Sequence, residues 1–184
     1  MSTTTHARRN LYLAGLKHCG KTTLGKLLAS RTGREFYDLD DLLLALAADQ
    51  GYSSVREIYR TAGREKFQEY EAAAARKAAF SAALLSLGGG TVENQPALQA
   101  LKPGGSLIYL QVDETVLFNR IERGGLPPFL IGDRPPAELF HELYIRRHKL
   151  YSQHCDALIE LPDQTVEKNF ELLYSRLKEL NYVR

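Results

Sequence analysis

Eight consecutive residues, Gly15-Leu16-Lys17-His18-Cys19-Gly20-Lys21-Thr22, constrain this chain more than any others. They fit the pattern GxxxxGK(S/T). An apolar run at 11–14 precedes them, and a stretch with helical spacing (Leu24, Leu27, Leu28) follows and stops at Gly33. The glycines let the backbone curl so that successive N–H groups face phosphate oxygens, and the helix starting near Lys21 adds its positive end. Lys21 is placed to reach the β- and γ-phosphates, and the Thr22 hydroxyl to ligate Mg²⁺. The expected nucleotide-binding residues are therefore Gly15, Lys17, His18, Cys19, Gly20, Lys21, Thr22 and Thr23. For Cys19 the plainer role is that of a small spacer.

The strand-then-helix alternation continues to the end of the chain. Strands are expected at 11–14, 36–37, 83–87, 106–112 and 157–161, and helices at 21–31, 42–48, 55–61, 65–80, 114–122, 138–151 and 166–180. Residues 106–112 are apolar almost throughout, the pattern of a strand covered on both faces. Such alternation predicts an α/β fold in three layers, a parallel sheet with helices on both faces. With 184 residues, 44% hydrophobic and 25% charged, the chain suits one compact domain over 10–184 behind a loose tail, 1–9. Residues 123–136 hold three glycines and four prolines and are long enough for a lid that excludes water.

Composition excludes several function classes. A net charge of +2 is too small to make nucleic acid or an anionic membrane the main partner. The apolar runs at 42–48 and 78–87 fall well short of the ~20 residues of a membrane span. The first ten residues lack the apolar core of a secretory signal. Cys19 and Cys155 have neither metal-ligand spacing nor a CxxC arrangement, and such sparse use fits a reducing compartment. The expected location is the cytoplasm.

No guanine-reading NKxD-like segment is present, so a kinase reading is preferred to a switch protein. Asp38 and Asp40 lie two apart past a short strand, so both carboxylates are expected on one side, at the carboxyl edge of the sheet where ligands bind. One would hold Mg²⁺ through water and the other accept a proton from an attacking hydroxyl; the plainer role is an N-cap pair. Gly88-Gly89-Gly90 offers bare amides that a small substrate can approach. His141, His148 and His154 share no ligand geometry. Leu150 and Tyr151 read as core.

Taken together, GLKHCGKTT, FYDLDD, the GREKFQEYE block, LSLGGGTV, LPPFLIGDRP and RRHKLY resemble the shikimate kinase family, in order and at family-like spacings from Leu11 to about Leu161. The resemblance implies a five-stranded parallel sheet with a mobile lid, and transfer of the γ-phosphate of ATP to a shikimate hydroxyl by a monomer with Mg²⁺. It assigns Lys21 and Thr22 to phosphate and Mg²⁺, and Asp38 to the metal side. Asp40 is assigned to binding and activating the substrate hydroxyl, and Gly88, Gly89 and Gly90 to facing the substrate. Arg147 is assigned to the substrate carboxylate and Arg120 to packing on adenine.

Three positions depart from the family pattern. A second arginine for the substrate carboxylate is replaced by Gln68, which should weaken binding by about 1.5–3 kcal/mol. The catalytic lid arginine falls on Pro127, and arginine fingers contribute up to ~10³–10⁵-fold. His18 stands where the family usually has glycine. Arg64, four residues before Gln68 on an expected helix, is one turn away on the same face and a candidate replacement. Arg123 and Arg134 flank the lid and are candidate catalytic cations. Gln68 leaves open another small hydroxy acid or polyol as acceptor, and Pro127 leaves open a nucleotide-binding regulator.

Overall fold

The computed structural model describes residues 9–78 and 82–184. Five strands, β1 (Asn10–Ala14), β2 (Phe36–Asp38), β3 (Leu84–Ser86), β4 (Gly105–Gln111) and β5 (Ala157–Glu160), form one sheet in the order β2-β3-β1-β4-β5. Every pairing is parallel: Leu11 lies opposite Leu84 on one side and Ser106 on the other. Phe36 pairs with Leu84, and Ile108 with Ala157. The central strand β1 is buried along its whole length, as a strand covered on both faces must be. The predicted α/β class and the five strands are thus present, each within about two residues of its expected bounds.

Among the described residues seven α-helices surround the sheet: α1 (Lys21–Thr32), α2 (Leu39–Leu46), α3 (Val55–Lys77), α4 (Gln95–Leu101), α5 (Glu114–Arg123), α6 (Pro136–His154) and α7 (Val166–Glu179). Helix α1 ends where predicted. Gly33 adopts φ 65° and its N–H bonds to the Ala29 carbonyl, a conformation glycine reaches without a Cβ penalty.

Three local differences from the sequence expectations have clear causes. Helix α2 starts at Leu39 rather than at 42 because Asp38 caps it, drawing Asp40 and Asp41 into the first turn. Helix α3 is broken at Gly63 (φ 83°, ψ 174°) into two helical segments, in agreement with the separate helices expected over 55–61 and 65–80. Its expected end at Phe80 lies outside the described residues. Helix α4 was not anticipated. Its signals are an Asn94 cap that accepts the Ala97 N–H and a proline in the first turn, with only seven residues to carry a period. Helix α6 begins two residues early, at Pro136, whose fixed φ suits a first helical position. Of the expected tail, residues 1–8 lie outside the described residues, and the Arg9 guanidinium donates to the carbonyls of Lys102 and Pro103. No helix among the described residues is long and apolar enough to cross a membrane.

Candidate active site

The turn between β1 and α1 is held by contacts that leave little choice of residue. Gly15 has φ 148°, and a Cβ there would stand 2.7 Å from both Cys19 Sγ and the Leu110 carbonyl oxygen. Only glycine fits. Cys19 is buried beneath the turn, in agreement with a spacer role. The buried Lys21 side chain lies back across the turn, its Nζ donating to the carbonyls of Gly15 (2.9 Å) and Leu16 (3.0 Å). Lys17, His18, Thr22 and Thr23 are exposed around it.

Thr22 Oγ1 donates to Asp38 Oδ2 at 3.2 Å and lies 3.5 Å from Ser86 Oγ at the end of β3. Two hydroxyls and a carboxylate oxygen are hard donors of the kind Mg²⁺ prefers, and a magnesium ion usually takes the rest of its shell from water and phosphate. Among the described residues no cluster of three His, Cys, Asp or Glu is arranged to hold a metal. A cation here therefore suits this hydroxyl–carboxylate set together with a nucleotide. Ser86 was missed in the sequence; the only signal was its place at the carboxyl end of a strand beside the phosphate turn.

The two aspartates do not share one face of an extended segment. Asp38 ends β2 and is also the N-cap: its Oδ1 accepts the Asp40 N–H at 3.1 Å while Oδ2 faces Thr22. Asp40 sits in the first turn of α2. Capping and site roles thus coexist in Asp38. Burial, then the nearby charges of Asp38 and Glu71, push the Asp40 carboxyl up to about 6, with Lys21 pulling the other way. Glu71, 2% exposed, is fully hydrogen-bonded. It accepts from Thr91 Oγ1 (2.6 Å) and Asn94 Nδ2 (2.8 Å). Burial raises its pKa, and the two donors and the Arg147 charge oppose the rise.

The triple glycine after β3 joins these pieces. A Cβ on Gly88 would lie 3.1 Å from Asp40 Oδ1, and one on Gly89 would lie 3.2 Å from the Lys17 amide nitrogen. One on Gly90 would lie 3.1 Å from Arg147 Nη2. Three adjacent residues therefore touch the carboxylate, the phosphate turn and a cation. Tyr151 pins the arrangement. Its buried hydroxyl bridges the carbonyls of Gly15 (3.2 Å) and Gly89 (2.9 Å), and its ring stacks on Tyr109 at 4.8 Å. Sequence reasoning placed Tyr151 only in the core, although it lies one turn beyond Arg147 on α6.

This arrangement has close counterparts among known proteins. The family model for shikimate kinase matches residues 17–178. The chain belongs to the shikimate kinase family. It is 38% identical to a Chlamydia pneumoniae shikimate kinase over 135 residues, 72% of this chain and 77% of that one. It is 33% identical to the Thiobacillus denitrificans enzyme over 171 residues, 92% and 91% of the two chains. The structure of the Acinetobacter baumannii shikimate kinase in complex with shikimate superposes with a TM-score of 0.79. That match has 26% identity and covers 95% of this chain and 96% of the other.

The remaining shikimate kinase positions fall into two groups. Arg120 donates to the His18 carbonyl (3.3 Å) and to Asp163 Oδ1 (2.9 Å), at the rim of the phosphate turn. The His18 ring lies against Gly124, where a Cβ would meet Cε1 at 3.3 Å. Burial and the charges of Lys17, Lys21 and Arg120 lower its pKa. Arg147 donates through Nε and Nη2 to Glu93. Gln68 is half-buried and its backbone carbonyl accepts from Asn94 Nδ2, whereas Arg64 is exposed beside the Gly63 break, one helical turn from Gln68. Pro127 is buried, and its carbonyl closes a turn onto the Leu130 N–H. Of the two lid-flanking cations, Arg134 is exposed and paired with Glu142 (2.7 Å) and Glu138 (3.5 Å) on α6. Arg123 is exposed in the last turn of α5. The structure therefore brings Lys21, Thr22, Asp38, Asp40, the glycines and Arg147 together, and leaves Arg64, Arg123 and Arg134 at the surface.

Proposed function

We propose that this chain transfers the γ-phosphoryl group of ATP to a ring hydroxyl of shikimate, giving shikimate 3-phosphate and ADP. The observation that carries this is the Gly88–Gly90 turn, which abuts Asp40, the phosphate turn and Arg147 at once. A small acid lying on those glycines would present its hydroxyl to Asp40 and its carboxylate to Arg147. Asp40 accepts the hydroxyl proton as the acceptor oxygen bonds to the γ-phosphorus and the bond to the β–γ bridging oxygen breaks, leaving ADP. Its elevated pKa keeps Asp40 ionised at neutral pH yet a better base than an exposed aspartate. Lys21 neutralises charge on the transferring group, and most of the rate comes from positioning. Thr22 and Asp38 would hold Mg²⁺, which when bound with the nucleotide spreads the phosphate charge.

Arg134 is the first candidate for the lid cation in this reading. Its pairs with Glu138 and Glu142 are exposed and screened by solvent, so a bound nucleotide competes for the guanidinium at little cost. Arg123, at the root of the same loop, is the alternative. Gln68 borders the acceptor, with Arg64 one helical turn away at the surface; Arg120 and His18 border the nucleotide, and one chain supplies every group.

A coupled ADP-release assay with Mg-ATP tests the proposal. Turnover should depend on shikimate and vanish in Asp40→Ala. Nucleotide binding without shikimate-dependent turnover would overturn it, and turnover on a different hydroxy acid would reassign the acceptor. Arg134→Ala should lower kcat at least tenfold with little change in either KM; if Arg123→Ala alone does so, Arg123 is the lid cation.

A further inference from the structure

Arg147 does not stand alone. Glu93, in the short turn Thr91–Glu93, accepts from Arg147 Nε (3.1 Å) and Nη2 (2.9 Å) with a single oxygen, Oε2. Its other oxygen, Oε1, accepts from Arg146 Nε at 2.8 Å. Glu93 and Arg147 are largely buried, with side-chain exposures of 13% and 17%, while Arg146 is 58% exposed. Burial pushes the Glu93 carboxyl up, but the two arginines outweigh it and hold it below the usual carboxylate range. The carboxylate is thus ionised whenever the enzyme works.

An arginine offers five N–H groups. Glu93 takes Nε–H and one hydrogen of Nη2, the side edge of the fork. The end edge, formed by Nη1 and the second hydrogen of Nη2, is left for another carboxylate, and a bidentate pair there is strong and geometrically selective. Nη2 lies 3.1 Å from the point where a Cβ on Gly90 would stand, so that edge borders the glycine wall of the acceptor site. Charge completes the picture. Glu93 alone would cancel Arg147; with Arg146 on its far oxygen, the trio keeps one net positive charge. Gln68 adds none, and Glu71 is satisfied by the neutral donors Thr91 and Asn94.

We infer that Glu93 is a positioning residue for acid recognition, and that Arg146–Glu93–Arg147 together form the carboxylate subsite of this chain. Glu93 fixes the direction of the Arg147 fork, and Arg146 restores the charge that Glu93 would otherwise remove. The inference rests on the reading that the acceptor is shikimate, a carboxylic acid.

Steady-state kinetics with shikimate and with its neutral carboxamide test it. Glu93→Ala should raise KM for shikimate by about tenfold or more, the scale of one charge-assisted contact, with KM for ATP within about twofold. Glu93→Gln, which still accepts from Arg147, should fall between wild type and alanine. With the carboxamide, kcat/KM of the Glu93 variants should stay within about threefold of wild type, because no anion is there to be aimed at. Arg146→Ala, at an exposed position with little folding risk, should raise KM for shikimate about threefold, and Arg146→Lys should recover part of that. An unchanged or lowered KM for shikimate in Glu93→Ala overturns the role of Glu93, as does equal damage to shikimate, carboxamide and ATP. Absence of shikimate-dependent turnover in the wild-type enzyme instead removes the acceptor reading, and the subsite with it.

Discussion

The nucleotide side and the acceptor side of this site are built on different principles. On the nucleotide side, one continuous stretch, 15–22, does most of the work, and backbone geometry sets the residues: Gly15 because a Cβ would strike Leu110, Gly20 because the helix entry has φ 99°. On the acceptor side, side chains converge from four separate segments: Asp40 from α2, Glu71 from α3, Glu93 from the turn before α4, and Arg146 and Arg147 from α6. A local backbone shape tolerates little change, because each residue has one allowed conformation. Converging side chains can be exchanged in compensating sets.

The sharpest way to break this comparison is at its two charged centres. Lys21→Met should lower kcat by about 10³-fold or more, since it removes the fixed positive charge facing the transferring group. Asp40→Asn should lower kcat by about 10²–10⁴-fold, the range for a positioned proton acceptor. The aspartate should also report on stability through pH. Its folded pKa of about 6 lies above the ordinary value of 3.8, so it contributes stability fully present below that value and lost as pH rises through about 6. Thermal melts without nucleotide should therefore give Asp40→Asn the same Tm as wild type near pH 4. At pH 8 the variant should melt about 2–6 °C higher. A lower Tm at pH 8 would mean that the Asp40 environment is not the one described.

The same contrast explains what could be seen in the sequence. The five strands, the phosphate turn and the end of α1 were legible because period, glycine placement and spacing are local signals. Asp38 and Asp40 were legible as a pair but not in arrangement, since the cap that pulls Asp40 into α2 is decided by three residues of backbone. Ser86, Tyr151 and Glu93 were not identified as site residues. Each acts through contacts more than 50 residues away in sequence, which no local pattern reports. Gln68 and Pro127 were legible as departures, and the identity of their substitutes was not.

Two neighbouring glycines sharpen the comparison at intermediate effect. In Gly89→Ala the new methyl meets the Lys17 backbone nitrogen, which cannot swing aside, whereas in Gly90→Ala it meets the end of the Arg147 side chain. Gly89→Ala should raise KM for ATP about tenfold or more. Gly90→Ala should raise KM for shikimate several-fold and leave ATP within about twofold, as Arg147 yields by a fraction of an ångström. Parallel changes in both constants for both variants would show that the two sides are not separable.

The smallest expected effect is the most selective. Glu71 contributes to Asp40 through charge, since its carboxylate is held by Thr91 and Asn94 rather than by the aspartate. Glu71→Gln keeps the shape and one acceptor but removes that charge, at the cost of one hydrogen bond, since Asn94 is held by the Ala97 N–H and the Gln68 backbone carbonyl. At pH 7.5 the rate should change about twofold or less, because Asp40 is already ionised there. The acid limb of kcat/KM, set near pH 6 by Asp40 in the free enzyme, should move to lower pH. Lys21→Met must move it the other way if enough rate survives to measure, because Lys21 is the group that holds Asp40 down. An acid limb unmoved by Glu71→Gln would mean that the aspartate is raised by burial and Asp38 alone, and that the acceptor side is less electrostatically coupled than its geometry implies.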